Sequence, residues 1–220
     1  MKKLIFLSCC ALGLMFGSVS FARVMRLHQV KPPLLTGVAL VFTGSQGSIT
    51  VDTLLFQQQR LTRVNTVRSG LNIYSYILDN NLNGTAQAWS DYSKSRNGIS
   101  HKRYNSKAYY DYNLIQKRFE EAGLMFSKKK GTKVVENIGR GYVRCGKLSH
   151  TRSVDCTKAL IDATKTSWNF FMSEKGKSYA PHYKSIISEQ YEWAGFGVSV
   201  DVDQKKYYIT AHYSVPFVAR

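Results

Sequence analysis

Two alternating runs near the end of the chain constrain its fold more than any other feature. Val198, Val200 and Val202 alternate with Ser199 and Asp201, and after Asp203-Gln204-Lys205-Lys206 a second run from Tyr207 to Tyr213 answers them. Successive side chains of a strand point to opposite faces, so the pattern predicts a β-hairpin. Upstream the apolar spacing is helical. Leu82, Ala86, Trp89 and Tyr92 predict a helix over about Leu82 to Lys94 that stops before Asn97-Gly98. Weaker helical spacing covers Leu61 to Ile77, then Leu114 to Leu124, and a third stretch from Thr157 to Met172 through Leu160, Ile161, Thr164, Trp168 and Phe171. Val134 to Val143 reads as a strand. Helices ahead of a late hairpin imply an α+β layered domain rather than a parallel nucleotide-binding sheet.

The start of the chain points to export. Lys2 and Lys3 precede an apolar run from Leu4 to Phe16, and Ser20-Phe21-Ala22 sets small residues at a cleavage site, so residues 1–22 read as a signal peptide. The run is shorter than the ~20 apolar residues of a membrane span, and no later segment is long enough either. The expected location is secreted or periplasmic, with residues 23–60 as an N-terminal extension and 61–220 as one domain. The formal charge of +17 loses only Lys2 and Lys3 with the leader. Such a surface suits anionic lipid, wall polymer or glycan, and it equally serves solubility. Nucleic acid is the weakest of these partners, because no recognition motif is present. Of four cysteines, Cys145 and Cys156 lie beyond the leader, and in an exported chain they are expected to form a disulfide.

Familiar catalytic signatures are absent: no HExxH, GxSxG, P-loop or GxGxxG occurs. What remains is a dispersed set of four, His101, Glu136, Glu174 and His182. The other histidines read more plainly, with His150 on an exposed loop between the cysteines, His212 as a strand residue and His28 in the extension. Tyr104, Tyr109, Tyr110 and Tyr112 follow His101 and are candidates to line a groove.

Those residues sit in a recognisable order. Asn65-Thr66-Val67-Arg68 matches an NxxR start, Ala86-Gln87-Ala88-Trp89 an AQ-bearing helix with His101 beyond it, and Glu136-Asn137-Ile138 a GENI-type element. Trp168, Glu174, Tyr179 and His182-Tyr183 follow, and Gly195-Phe196-Gly197-Val198 with Tyr207-Tyr208-Ile209-Thr210 closes the series. Over roughly Asn65 to Ser214 this resembles the CAP superfamily, the cysteine-rich secretory, antigen-five and pathogenesis-related group. The chain departs from that pattern at Val135 and Pro181, which stand where the family has glycine, and at Lys184-Ser185 in place of TQ. Glu189 and Glu192 are the alternatives to Glu174.

The resemblance implies a three-layer α-β-α sandwich with an antiparallel sheet, and a cleft holding His101, Glu136, Glu174 and His182 with Asn137 and Tyr183 beside them. Two imidazoles and two carboxylates brought together have three uses. They can hold a divalent metal, with zinc the natural occupant for His101 and His182 and the glutamates orienting the rings or handling a water's proton. They can work metal-free as acid and base, or form a hydrogen-bonded network without catalysis. Family members bind sterols or other lipids, signal, or cleave proteins, so fold does not decide function. The leading expectation is a binding protein for a lipid, glycan or peptide, with or without zinc. The alternative is a metal-assisted extracytoplasmic hydrolase with Glu136 or Glu174 as base.

Overall fold

The computed structural model describes residues 38–103, 112–121, 124–126 and 131–219. The expected signal peptide, the first part of the extension with His28, the residues Tyr104, Tyr109 and Tyr110, and Lys128-Lys129-Lys130 lie outside the described residues. In chain order the elements are β1 (Ala39–Gly44), β2 (Gly47–Asp52), α1 (Thr53–Gly70), β3 (Ile77–Leu78), α2 (Asn80–Ser95), α3 (Asn113–Glu121), β4 (Leu124–Phe126) and β5 (Val134–Tyr142). Then follow β6 (Val154–Asp155), α4 (Thr157–Ala163), α5 (Lys165–Met172), α6 (Pro181–Ile187), β7 (Trp193–Asp201), β8 (Lys206–Ser214) and β9 (Phe217–Ala219).

The main sheet has the order β3-β7-β8-β5. Its three long strands are antiparallel, as the hairpin pattern required, with β5 and β7 both paired to β8. The sheet is nevertheless mixed, because β3 runs parallel to β7 through Ile77↔Trp193 and Leu78↔Ala194. A second sheet, β1-β2-β6, and a two-stranded pair, β4-β9, stand apart from it.

Helix α1 starts at Thr53, well before the expected Leu61, where Asp52 Oδ1 accepts from Leu55 N at 2.9 Å as an N-cap. Apolar periodicity hid this helix because its buried positions include Thr53, Arg60 and Arg68 beside Phe56 and Val64. It ends at Gly70 rather than near Ile77, and Asn72 turns the chain at φ 56°, a conformation asparagine tolerates better than most residues. The single helix expected over Thr157 to Met172 is two, α4 and α5, broken at Thr164, whose hydroxyl donates to Ile161 O at 2.9 Å.

Helix α2 covers one face of the sheet. A Cβ at Gly195 would press into the backbone of Leu82 and Asn83, and one at Gly197 into that of Ala86 and Gln87. The glycines therefore let α2 lie directly on β7. On the opposite face Ser167 of α5 meets Gly139 and lies 3.0 Å from Tyr207 Oη, whose hydroxyl donates to Ala163 O of α4 at 3.2 Å. On the same side Ser185 of α6 donates to Asn137 Oδ1 at 2.8 Å. The result is three layers, α-β-α.

Motif residues explain themselves in this frame. Asn65 pairs with the backbone of Tyr76 in both directions, at 3.0 and 2.8 Å. Arg68, 1% exposed, donates to Tyr74 O, Ile186 O and Ser188 O while its guanidinium lies 3.8 Å from the Tyr76 ring centroid. Gln87 acts as a missing strand. Strand β3 covers β7 for only two residues, and further along Gln87 Oε1 accepts from Val198 N at 3.1 Å while its Nε2 donates to Val198 O at 2.7 Å. Asn83 Oδ1 does the same for Phe196 N at 2.9 Å. Gln87→Ala should cost about 1–3 kcal/mol by leaving that strand edge unpaired beneath α2, read as a drop in urea midpoint at unchanged m-value.

Cys145 and Cys156 are joined by a disulfide that ties the segment after β5 to the start of α4. Cys156 is fully buried, and its N donates to Thr50 O at 2.9 Å, so the bridge also anchors the second sheet. Cys145→Ser should lower stability by about 2–3 kcal/mol for a loop this short, measured by thermal melting against the oxidised parent. Among the described residues no helix is long and apolar enough to cross a membrane.

Candidate functional site

The segment carrying His101 is set by the end of α2. Asn97, at φ 47°, accepts through Oδ1 from Lys206 Nζ at 3.0 Å and from Tyr208 Oη at 2.9 Å, and its carbonyl accepts from Arg140 at 3.4 Å. Trp89 Nε1 donates to Ser100 O at 3.1 Å, and the Arg103 guanidinium lies 3.5 Å from the Trp89 ring centroid. The chain leaving α2 is thereby folded back over the sheet, which delivers His101 and Arg103 to β5.

Glu136 receives them. It is 4% exposed and directly opposite His212 in the β5–β8 register. Its Oε1 accepts from His101 Nδ1 at 3.0 Å and from Arg103 Nη1 at 3.2 Å. Its Oε2 accepts from Arg103 Nη2 and from His212 Nε2, the latter at 2.8 Å. Burial would push the Glu136 pKa up, but the His101 and His212 hydrogen bonds and the Arg103 charge outweigh it and hold the carboxyl far below the usual carboxylate range. An ionised carboxylate only accepts, so His101 bears its proton on Nδ1 and His212 on Nε2. Thr85 Oγ1 completes His212 at Nδ1, at 2.8 Å.

The second pair is built on α6. Glu174, 7% exposed, accepts through Oε2 from the backbone N of His182 at 2.9 Å and of Tyr183 at 3.1 Å, which makes it the N-cap of α6 supplied from outside the helix. Its Oε1 lies 2.6 Å from His182 Nδ1. Burial raises the Glu174 pKa, yet these bonds and the imidazole leave it below its ordinary value. The His182 ring stacks on Phe171 with centroids 4.6 Å apart and a 10° interplanar angle, and its side chain stays 17% exposed. Glu189 and Glu192, the alternatives to Glu174, are exposed.

The structure therefore brings the four expected residues together two by two. Glu136 and Asn137 are neighbours on β5 and point to opposite faces: Glu136 toward His212 and the α2 side, Asn137 toward α6, where its Nδ2 donates to His182 O at 3.2 Å. Tyr183 is buried beside them. Two members of the site escape sequence reading, Arg103 and His212. A usable signal existed for His212. Thr210, His212 and Ser214 form a polar phase on β8, opposite Tyr207, Ile209, Ala211 and Tyr213, on a strand buried on both faces.

Glu136 itself has no acceptor position left for an ion, while the zinc expected at His101 and His182 would be held by the imidazoles, whose rings the glutamates orient through Nδ1. A carboxylate offers about four lone-pair directions, and His101, Arg103 twice and His212 use them all. Among the described residues no three His, Cys, Asp or Glu side chains are grouped to hold a metal. Glu136 has no lone pair left to take a proton, whereas the Glu174–His182 pair keeps an imidazole partly open to solvent.

Comparison with known proteins agrees with this architecture. The sequence matches the family CAP, described as the cysteine-rich secretory protein family, over residues 61–213. No curated protein matches it. Among solved structures the chain is similar to an outer surface protein of Borrelia burgdorferi, with 11% identity, 82% of this chain and 98% of that one covered, and a TM-score of 0.51. It is also similar to an extracellular protein containing a SCP domain from Bacillus anthracis, with 18% identity, 73% of this chain covered and a TM-score of 0.47, and spans 40% of that chain. A cysteine-rich secretory protein from Staphylococcus aureus shows 12% identity, with 74% of this chain and 38% of that one covered, at a TM-score of 0.41. Identities this low speak to fold alone. The family match nonetheless spans well over half of the residues, from α1 to the end of the main sheet, and the chain belongs to the CAP family of cysteine-rich secretory proteins.

Proposed function

We propose that the chain is an extracytoplasmic binding domain whose ligand is an anionic lipid, engaged without metal at the face around His182. One observation carries this reading. Lys175, Lys177 and Lys184 are exposed on α6 and the turn before it, and Glu174, the sole acidic residue from Lys165 to Ser188, is buried and already bonded, while Lys165 at the start of α5 is paired with Asp162 at 2.7 Å. The same face exposes Phe170 at 60% and Tyr179 at 71%. Phe170 lies edge-on to His182 with centroids 5.6 Å apart. Exposed aromatics among unopposed lysines suit a surface that is negatively charged outside and apolar beneath. Export is supported by the leader-like residues 1–22 and by the Cys145–Cys156 disulfide.

The test is co-sedimentation of the exported protein with vesicles. Retention is expected on phosphatidylglycerol vesicles, weakening with salt, unchanged by EDTA and reduced in a Phe170→Ala, Lys177→Glu double variant. No retention at low salt would sink the reading. Retention on a soluble polyanionic glycan but not on vesicles would assign the face to a glycan instead.

A further inference from the structure

We infer that Arg60 and Arg63 form an internal anion site, taken by a small inorganic anion such as chloride where α1 meets α4 and Trp168 of α5. The inference does not depend on the lipid reading.

Two guanidiniums turn inward from positions three residues apart on α1. Arg60 is 3% exposed, on the face of α1 that also buries Phe56 and Val64, and its Cζ lies 5.9 Å from the Trp168 ring centroid. Arg63 is half-buried and donates through Nη2 to Ile161 O of α4 at 2.8 Å. The Nη1 atom of each is buried with no hydrogen-bond partner among the described residues. Folded interiors rarely leave such donors unmade, so two of them on neighbouring arginines point to an acceptor supplied from outside the chain.

Charge selects that acceptor. Burial lowers the Arg60 pKa to about 10, which still leaves a cation at neutral pH. The ionisable groups that act on it are Arg63, Tyr207 and Tyr213, none of them a carboxylate. Arg63 does feel Asp162, but that side chain is solvent-exposed and already paired with Lys158 at 3.0 Å and Lys165 at 2.7 Å. A water molecule would satisfy a donor and leave two like charges unbalanced, whereas an anion satisfies the donor and offsets the charge. The near-complete enclosure of Arg60 limits the guest to a few atoms.

Melting the full chain in sodium chloride and in sodium gluconate at equal ionic strength tests this, because gluconate is too large for the site. At a tenfold excess over Kd, chloride should raise the wild-type Tm by about 3–6 °C over gluconate, the effect of an about elevenfold gain in the folded-to-unfolded ratio. Arg60→Met, which removes the charge and keeps an unbranched side chain, should melt at the same temperature in both salts. An equal chloride response in wild type and Arg60→Met would trace the effect to the surface lysines and overturn the inference, as would a wild type that ignores chloride, the result if water alone fills the site. Should Arg60→Met fail to fold, bromide decides on the wild type. Crystals soaked in sodium bromide should show an anomalous scattering peak in hydrogen-bonding contact with Arg60 Nη1 or Arg63 Nη1, and a map with no peak there would overturn the inference.

Discussion

Glu136→Ala should lower the free energy of unfolding by about 3–5 kcal/mol, the cost of removing one partner from a buried ion pair. The substitution strands Arg103 under Trp89 without its carboxylate and takes the acceptor from both His101 and His212. Urea denaturation of the oxidised protein measures it, and a loss below about 1 kcal/mol, the range of an exposed pair, would show that the network is not buried as described. Glu136→Gln should cost less, since its amide oxygen still accepts. The same group sets an acid limit. Its folded pKa lies below the ordinary 4.5, so the stability it contributes is present above that value and is lost as pH falls through the acid range toward the folded pKa. Unfolding free energy should therefore begin to fall below about pH 4.5, and the fall should be shallower in Glu136→Gln.

Gly197→Ala should be nearly as damaging, at about 3 kcal/mol, the upper part of the range for overpacking. The added methyl would enter the backbone of Ala86 and Gln87, which no rotamer change can move aside. Helix α2 must then lift from β7, and Gln87 loses its hold on Val198 while Thr85 is drawn away from His212. Near-UV circular dichroism should report the repacked Trp89 alongside the drop in urea midpoint. Gly84→Ala is the contrast. Gly84 is exposed within α2 with nothing near its absent Cβ, so the same methyl should stabilise by about 0.5–1 kcal/mol. Equal effects of the two substitutions would show that helix propensity, not the close contact, governs them.

These two positions also separate what sequence reading reaches from what it does not. The glycines of β7 and the Ala86-Gln87 pair are visible as a motif, yet a motif does not say that one is the footprint of the other. Helix α2 was legible because its apolar spacing and the Asn97-Gly98 stop are local, and the final hairpin was legible because alternation has a fixed period. Helix α1 was misplaced because its inner face carries Arg60 and Arg68, whose burial depends on partners distant in sequence, such as Ile186 and Ser188 for Arg68. Glu174 could be proposed for His182 from its order in the chain, but its role as the cap of α6 rests on two backbone hydrogens that only the folded turn presents.

Local periodicity and residue order by themselves determined the α+β layering, the extent of α2, the hairpin, the pairing of the cysteines and the family, because each depends on neighbours along the chain or on a spacing the chain preserves. Tertiary structure alone decided that Glu136 faces His212 and Arg103, and which glutamate each expected imidazole meets, Glu136 for His101 and Glu174 for His182. Strand register selects which side chains share a face, and the energy of a buried charge depends on what meets it there. Neither quantity is written in any one segment.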